Sequence, residues 1–231
     1  MLISRRTLLG VGTLTVAGTI FGGVRLWPGA ASLITPAAAQ SAPAAAPLAP
    51  DDARMTERAI GKADAPVTVA EWFSLTCPHC ARFSADVLPE IQTKLVDTGK
   101  LRMVFNDFPL DVVALTAAMV ARSLPPERYE PFCAALLASQ DRWAFARGVN
   151  STEELAKMAA LAGMSRDAFN AAIANTALRD AILKKQDEAG KIYHVDSTPT
   201  FIINGPAAHD QSVSGEQSYD AFAALVAKAA G

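Results

Sequence analysis

The chain is short of cysteine, histidine and the larger aromatics. Of its 231 residues, three are cysteine, three histidine, three tryptophan and three tyrosine. So few cysteines exclude a small domain stapled by disulfides. An excess of one charge is missing too, with 21 Lys and Arg against 23 Asp and Glu. That balance offers no basic face to a nucleic acid and no acidic block of the kind found in disordered tails. No internal repeat and no heptad run is visible. What the chain does have is apolar residues, 51% of the total, enough for one ordinary domain with an appendage.

Charge is scarcest at the start, where Arg5, Arg6 and Arg25 are the only charged residues before position 40. Ser4-Arg5-Arg6-Thr7 is followed by an uncharged run from Thr7 to Val24, diluted by glycine, and then by the small side chains Ala37-Ala38-Ala39. Residues 1–39 therefore read as an export signal, with cleavage expected before Gln40. The paired arginines resemble a twin-arginine leader, although Gly10 stands where a lysine is common. The alternative is an uncleaved N-terminal membrane anchor, because the uncharged run just suffices to span a bilayer. Either reading puts the domain outside the cytoplasm. Residues 40–57 are an Ala/Pro-rich linker, and the lack of heptads there favours a monomer.

Beyond the linker, Val67 to Phe73 is apolar on both alternating faces and reads as a central strand. It leads into Cys77-Pro78-His79-Cys80 and then a helix to about Val96, with Phe83, Val87, Ile91 and Leu95 four apart. Gly99 ends that helix, and Leu101 to Phe105 forms a second strand. From Asp111 to about Tyr193 the periodicity is helical throughout. Pro125-Pro126 interrupts it, Ser151-Thr152-Glu153-Glu154 forms a capping box, and Ser165 caps a further helix. Thr200 to Ile203 is a strand followed by a turn at Asn204-Gly205, Ser212 to Ser214 a weak strand, and Ser218 to Ala230 a closing helix. The expected fold class is α/β, with βαβ (residues 58–110) and ββα (194–231) closing into one sheet around a helical insertion (111–193).

The chemistry concentrates at Cys77 and Cys80. Two cysteines three apart at a helix start can close a small disulfide, and the first sulfur then faces free backbone N–H groups. Those donors and the helix dipole favour thiolate over thiol. Pro78 suits the first helical position, where no donor is lost. His79 would add a hydrogen bond or a positive charge beside the thiolate. A protein that stabilises its dithiol this way hands its disulfide on, which makes it an oxidant. Glu71 lies on the face of the first strand shared with Val67, Val69 and Phe73, where an ionised carboxylate is costly to bury, so its pKa is expected to rise.

Cys77-Pro78-His79-Cys80 after a strand, the helical insertion and the later Thr198-Pro199 together resemble the DsbA family of periplasmic oxidoreductases, which have the thioredoxin fold. The resemblance covers roughly Glu57 to Ala230. It implies that Cys77 is the exposed nucleophile that forms a mixed disulfide with substrate, and that Cys80 is the buried resolving cysteine. It implies a cis-proline at Pro199 facing the pair, with the Thr198 backbone pairing with bound peptide. Glu71 matches the buried acid that exchanges a proton with the resolving thiol. The substrates implied are unfolded or reduced exported proteins. The reoxidising partner implied is an inner-membrane, quinone-linked oxidase of the DsbB type, or a membrane reductase if the protein is an isomerase. No cofactor is required.

Other readings of the same residues remain open at this stage. A structural zinc site needs four ligands, and Cys77, Cys80, Cys133, His79, His194 and His209 offer a poor set; no metal is expected. Copper(I) needs only two thiolates, so a copper carrier, or a holdase using the same region, is the rival from another class. Cys133 sits in an apolar helix and reads as a buried free thiol. His194 and His209 read as a helix-end and a loop histidine.

Overall fold

The structure, a computed structural model, describes residues 47–231. The expected export signal (1–39) and the start of the linker lie outside the described residues.

Among the described residues, five strands form one mixed sheet in the order β1-β3-β2-β4-β5. They are β1 (Arg58–Ile60), β2 (Val67–Phe73), β3 (Leu101–Asp107), β4 (Thr200–Gly205) and β5 (Ala208–Ser214). β2 pairs in parallel with β3 and antiparallel with β4, which places it at the centre. Its sequence suits that place. Val67, Val69, Glu71 and Phe73 point to one face, where Val67, Val69 and Phe73 join the main core. Trp72 points to the other and packs with Phe108, Ala189, Val195 and Ile202.

The helix α1 (residues 78–96) connects β2 to β3. Its α-helical turns alternate with wider π-type turns at Phe83–Val87 and Gln92–Val96. Pro89 lacks the N–H that a regular helix would aim at residue 85, and the turn just before it opens to accommodate the loss. Phe83 of α1 meets Phe201 of β4 and Phe222 of the last helix, with ring centroids 4.8 and 5.9 Å away. This aromatic trio holds the two sequence-distant halves of the sheet domain together.

Six helices fall between β3 and β4: α2 (Val112–Arg122), α3 (Pro126–Leu137), α4 (Gln140–Trp143), α5 (Ser151–Leu161), α6 (Arg166–Ile173) and α7 (Thr176–Tyr193). A final helix, α8 (Tyr219–Ala230), follows β5 and packs on β4. The result is a thioredoxin-like fold with a helical insertion.

Several local expectations are corrected. Asn150, one residue earlier than expected, caps α5 by accepting from the backbone N–H groups of Thr152 and Glu153. A carboxamide oxygen serves this purpose as well as a hydroxyl. β4 runs on through Gly205, and the turn falls at Pro206-Ala207. Glycine is needed at 205 for a different reason: a Cβ there would lie 2.6 Å from the carbonyl oxygen of Ala229. His209 belongs to strand β5 rather than a loop. The short edge strand β1 had no readable alternation. It is held by pairing with β3 and by the side chain of Arg58, which lies over the ring of Tyr129.

Candidate active site

β2 delivers the chain to a tight loop, Ser74-Leu75-Thr76-Cys77, before α1 begins. Cys77 is the N-cap residue of α1, with extended backbone, and Pro78 takes the first helical position. The loop is tied on several sides. The Cys77 backbone N–H donates to Ser74 O at 3.1 Å. The Thr76 hydroxyl donates to Asp111 Oδ2 at 2.7 Å, while Asp111 Oδ1 caps α2. Gln140 Nε2 donates to the carbonyl oxygens of both Leu75 and Cys77, at 2.9 and 3.0 Å. Asp111 and Gln140 belong to the helical insertion, which therefore shapes the loop as well as covering the sheet.

Two turns of chemistry meet here. The Sγ of Cys77 lies 3.2 Å from the carbonyl oxygen of Thr198. The Thr198–Pro199 peptide bond is cis, and Pro199 O accepts from Gly215 N at 2.8 Å, tying this loop to the end of β5. The Cys77 thiol is pulled down from 9.0 to about 5. A hydrogen bond from the Cys80 thiol contributes most. Burial opposes it, and the Thr198 side chain and the backbone N–H groups of Cys80 and His79 add to the lowering. The Thr198 hydroxyl is itself buried without a partner while Cys77 is a thiol donating to the Thr198 carbonyl. Ionising Cys77 gives that hydroxyl an acceptor, which reconciles its orphaned state with its contribution to the thiolate.

Cys77, expected to be exposed, is only 4% exposed in the reduced form; Cys80, fully buried beside it, shows the opposite shift. Burial pushes its pKa far above the ordinary thiol range, and its hydrogen bond to Cys77 and the charge of Glu71 push the same way. Glu71 on β2 is 4% exposed, and burial, followed by the negative charge of Cys77, raises it from 4.5 to about 8. At neutral pH the site therefore holds one thiolate, one neutral thiol and one neutral carboxylic acid.

The structure brings Cys77, Cys80, Thr198 and Pro199 together, with Glu71 close enough to feel the cysteines' charge. It places His79 differently from the expectation. The imidazole is mostly exposed, with Nδ1 3.2 Å from Glu216 Oε2 and 2.6 Å from the Arg82 guanidinium. What His79 gives the Cys77 sulfur is its backbone N–H. Cys133 is buried in α3 with its thiol raised well above 9.0 by burial. Among the described residues no group of three His, Cys, Asp or Glu converges as a metal site.

Sequence reasoning missed Gln140, Asp111, Glu216 and a buried trio at the end of β3. In that trio Asp107 accepts from Arg122 and from the Tyr129 hydroxyl, which is 2.8 Å away. Asp111 had a signal, an aspartate just before a helical run. Gln140 had none, because its partners are backbone atoms more than sixty residues away.

Comparison with known proteins agrees with this fold. The family described as Thioredoxin matches residues 53–228. A variant of Wolbachia pipientis alpha-DsbA1 with two cysteines replaced by alanine superposes with a TM-score of 0.69 at 30% identity, covering 79% of this chain and 92% of that one. BdbD from Bacillus subtilis, in its oxidised form, superposes with a TM-score of 0.63 at 21% identity, over 74% of this chain and 91% of that one, a likeness of fold. A Rickettsia conorii protein provisionally named a protein-disulfide oxidoreductase is 28% identical over 174 residues, 75% of this chain. The chain spans 60% of that relative's length.

Proposed function

The chain belongs to the thioredoxin family and to its DsbA members, and on that premise we propose that it is a periplasmic protein-disulfide oxidoreductase that donates a Cys77–Cys80 disulfide to exported proteins. One observation carries the reading: a sulfur at a helix start, with a pKa of about 5, above a resolving thiol that burial keeps neutral. At pH 7 that depression from 9.0 favours the reduced form by about 3 kcal/mol. At about 30 mV per 1.4 kcal/mol, this raises the reduction potential by roughly 60 mV. The disulfide form is correspondingly ready to be passed on.

The reaction begins when a substrate thiolate attacks Cys77 Sγ of the disulfide form. The S–S bond breaks, a mixed disulfide forms at Cys77, and the electron pair leaves on Cys80. A thiolate there is strongly disfavoured by burial, so it takes a proton, and Glu71 is the neutral acid beside it. A second substrate cysteine then attacks its partner sulfur and releases Cys77 as the stabilised thiolate. Thr198 presents its backbone beside Cys77, where an extended substrate segment can pair with it. Reoxidation is assigned to a quinone-linked membrane oxidase of the DsbB type.

Titration of the Cys77–Cys80 couple against glutathione, combined with alkylation of the thiols in cells, tests the reading. An oxidising couple, found mainly as disulfide in cells, is expected. Cysteines kept reduced, with strong activity on scrambled ribonuclease, would replace the oxidase with an isomerase. Full biological activity in the Cys77→Ser, Cys80→Ser double variant would remove thiol exchange altogether and leave the copper or holdase reading.

A further inference from the structure

Glu71 gives up its proton at a buried position, and its carboxyl must regain one before the next cycle. No hydrogen bond contributes to its pKa; burial and the charge of Cys77 alone set it. It does line a cavity of about 20 Å³, together with Ser84, Phe105, Tyr129, Glu130 and Cys133. That space has room for one water, which needs roughly 10–15 Å³ and two or more polar neighbours.

The proton-bearing groups around this cavity can be sorted by what they are already doing. Tyr129 donates its hydroxyl to Asp107, and burial raises its pKa well above 10.0. Asp107 is held by Tyr129 and Arg122, and the guanidinium groups of Arg58 and Arg122 lie over the Tyr129 ring, 5.6 and 5.1 Å from its centroid. Cys133 stays a thiol at any neutral pH. Cys77 and Cys80 are the exchanging sulfurs. Glu130 and Ser84 remain, both only half-buried, so each reaches from the cavity toward solvent. Of the two, only Glu130 ionises, and its carboxyl is raised by burial.

We propose that Glu130 is the outer station of a proton path that runs through one water in this cavity to Glu71. This inference rests on the exchange reaction above. As the Cys77–Cys80 bond breaks, two electrons pass from the substrate thiolate to Cys80, and Cys80 takes the proton of Glu71. The Glu71 carboxylate takes a proton from the cavity water, which takes one from Glu130, and Glu130 recovers its own from solvent. Reoxidation runs the same path outward.

The test is the rate at which the oxidised protein reacts with a reduced dithiol peptide from pH 5 to 9. Glu130→Gln is expected to slow it about tenfold near pH 8, less than the ~10²–10⁴ of a complete general acid because bulk water still reaches the site. The loss should shrink toward pH 5, where free protons are plentiful, and Glu130→Asp should recover part of the rate. In a Glu71→Gln background, Glu130→Gln should have no further effect. A Glu130→Gln pH profile matching the wild type, or an equal loss in the Glu71→Gln background, overturns the path. Failure of the wild-type protein to exchange with the peptide at all would bring down the oxidoreductase reading itself, and the path with it.

Discussion

The side-chain amide of Gln140 donates to the carbonyl oxygen of Cys77 at 3.0 Å. A residue of the helical insertion thereby fixes the backbone of Cys77, 63 positions earlier in the chain.

Gln140→Ala removes two donors from a buried loop and leaves the carbonyls of Leu75 and Cys77 without them. The expected cost is about 1–3 kcal/mol of stability. Chemical denaturation measures it. A slower reaction with dithiol peptide is expected as well, because the Cys77 backbone is no longer clamped.

Glu71 makes stability depend on pH in a direction unusual for a carboxylate. Its folded pKa of about 8 lies above 4.5. The folded state thus holds a proton that the unfolded chain releases between those values. Its contribution is fully present below pH 4.5 and is lost as pH rises to about 8, by about 1.4 kcal/mol per unit. Glu71→Gln should match the wild type near pH 4 and exceed it by about 3 kcal/mol at pH 7. Denaturant midpoints across that range would settle it, and parallel curves for the two proteins would refute the buried neutral acid.

Cys77 has the reverse sign. Its folded pKa of about 5 lies below 9.0, so the thiolate's stabilisation is complete above pH 9 and is lost as pH falls through 5. The reduced protein should gain about 3 kcal/mol at pH 7 from this one sulfur, relative to the oxidised protein, and nothing from it below pH 5. Ultraviolet titration of the reduced protein should show a single thiolate appearing near pH 5. Cys77→Ser should show none there.

The Asp107–Arg122–Tyr129 trio is buried throughout. Asp107→Ala leaves the Arg122 guanidinium without its carboxylate and is expected to cost about 3–5 kcal/mol. Tyr129→Phe deletes one hydrogen bond to that carboxylate and should cost less, about 1.5–3 kcal/mol. Thermal melts of the two variants should therefore differ clearly; similar losses would show that the charge of Arg122 is compensated by something else.

Much of the site was legible because it is local. Cys77, Pro78 and Cys80 are three positions within one helical turn, and a helix start has the same donors in any fold. Val67, Val69 and Phe73 alternate as a buried strand must, which put Glu71 on a face where it could not remain charged. His79 shows the limit of that reasoning. Its sequence neighbours place it beside the thiolate, but the ring lies at the surface with its Nδ1 against Arg82 and Glu216, the latter 137 residues away. The edge strand β1 was illegible for a related reason: three residues are too few to show a period, and its pairing with β3 is a property of the partner.

The sequence by itself determined the cysteine pair at a helix start, the order of strands and helices apart from β1, and the presence of a carboxyl that burial would keep neutral. Those follow from periodicity and from helix-end electrostatics, which act over a few residues. Only the tertiary structure decided that Gln140 and Asp111 hold the loop, that Glu216 meets His79, and that Glu71 shares a cavity with Glu130. Each of these joins segments far apart in the chain, and which groups meet is set by how the whole core packs.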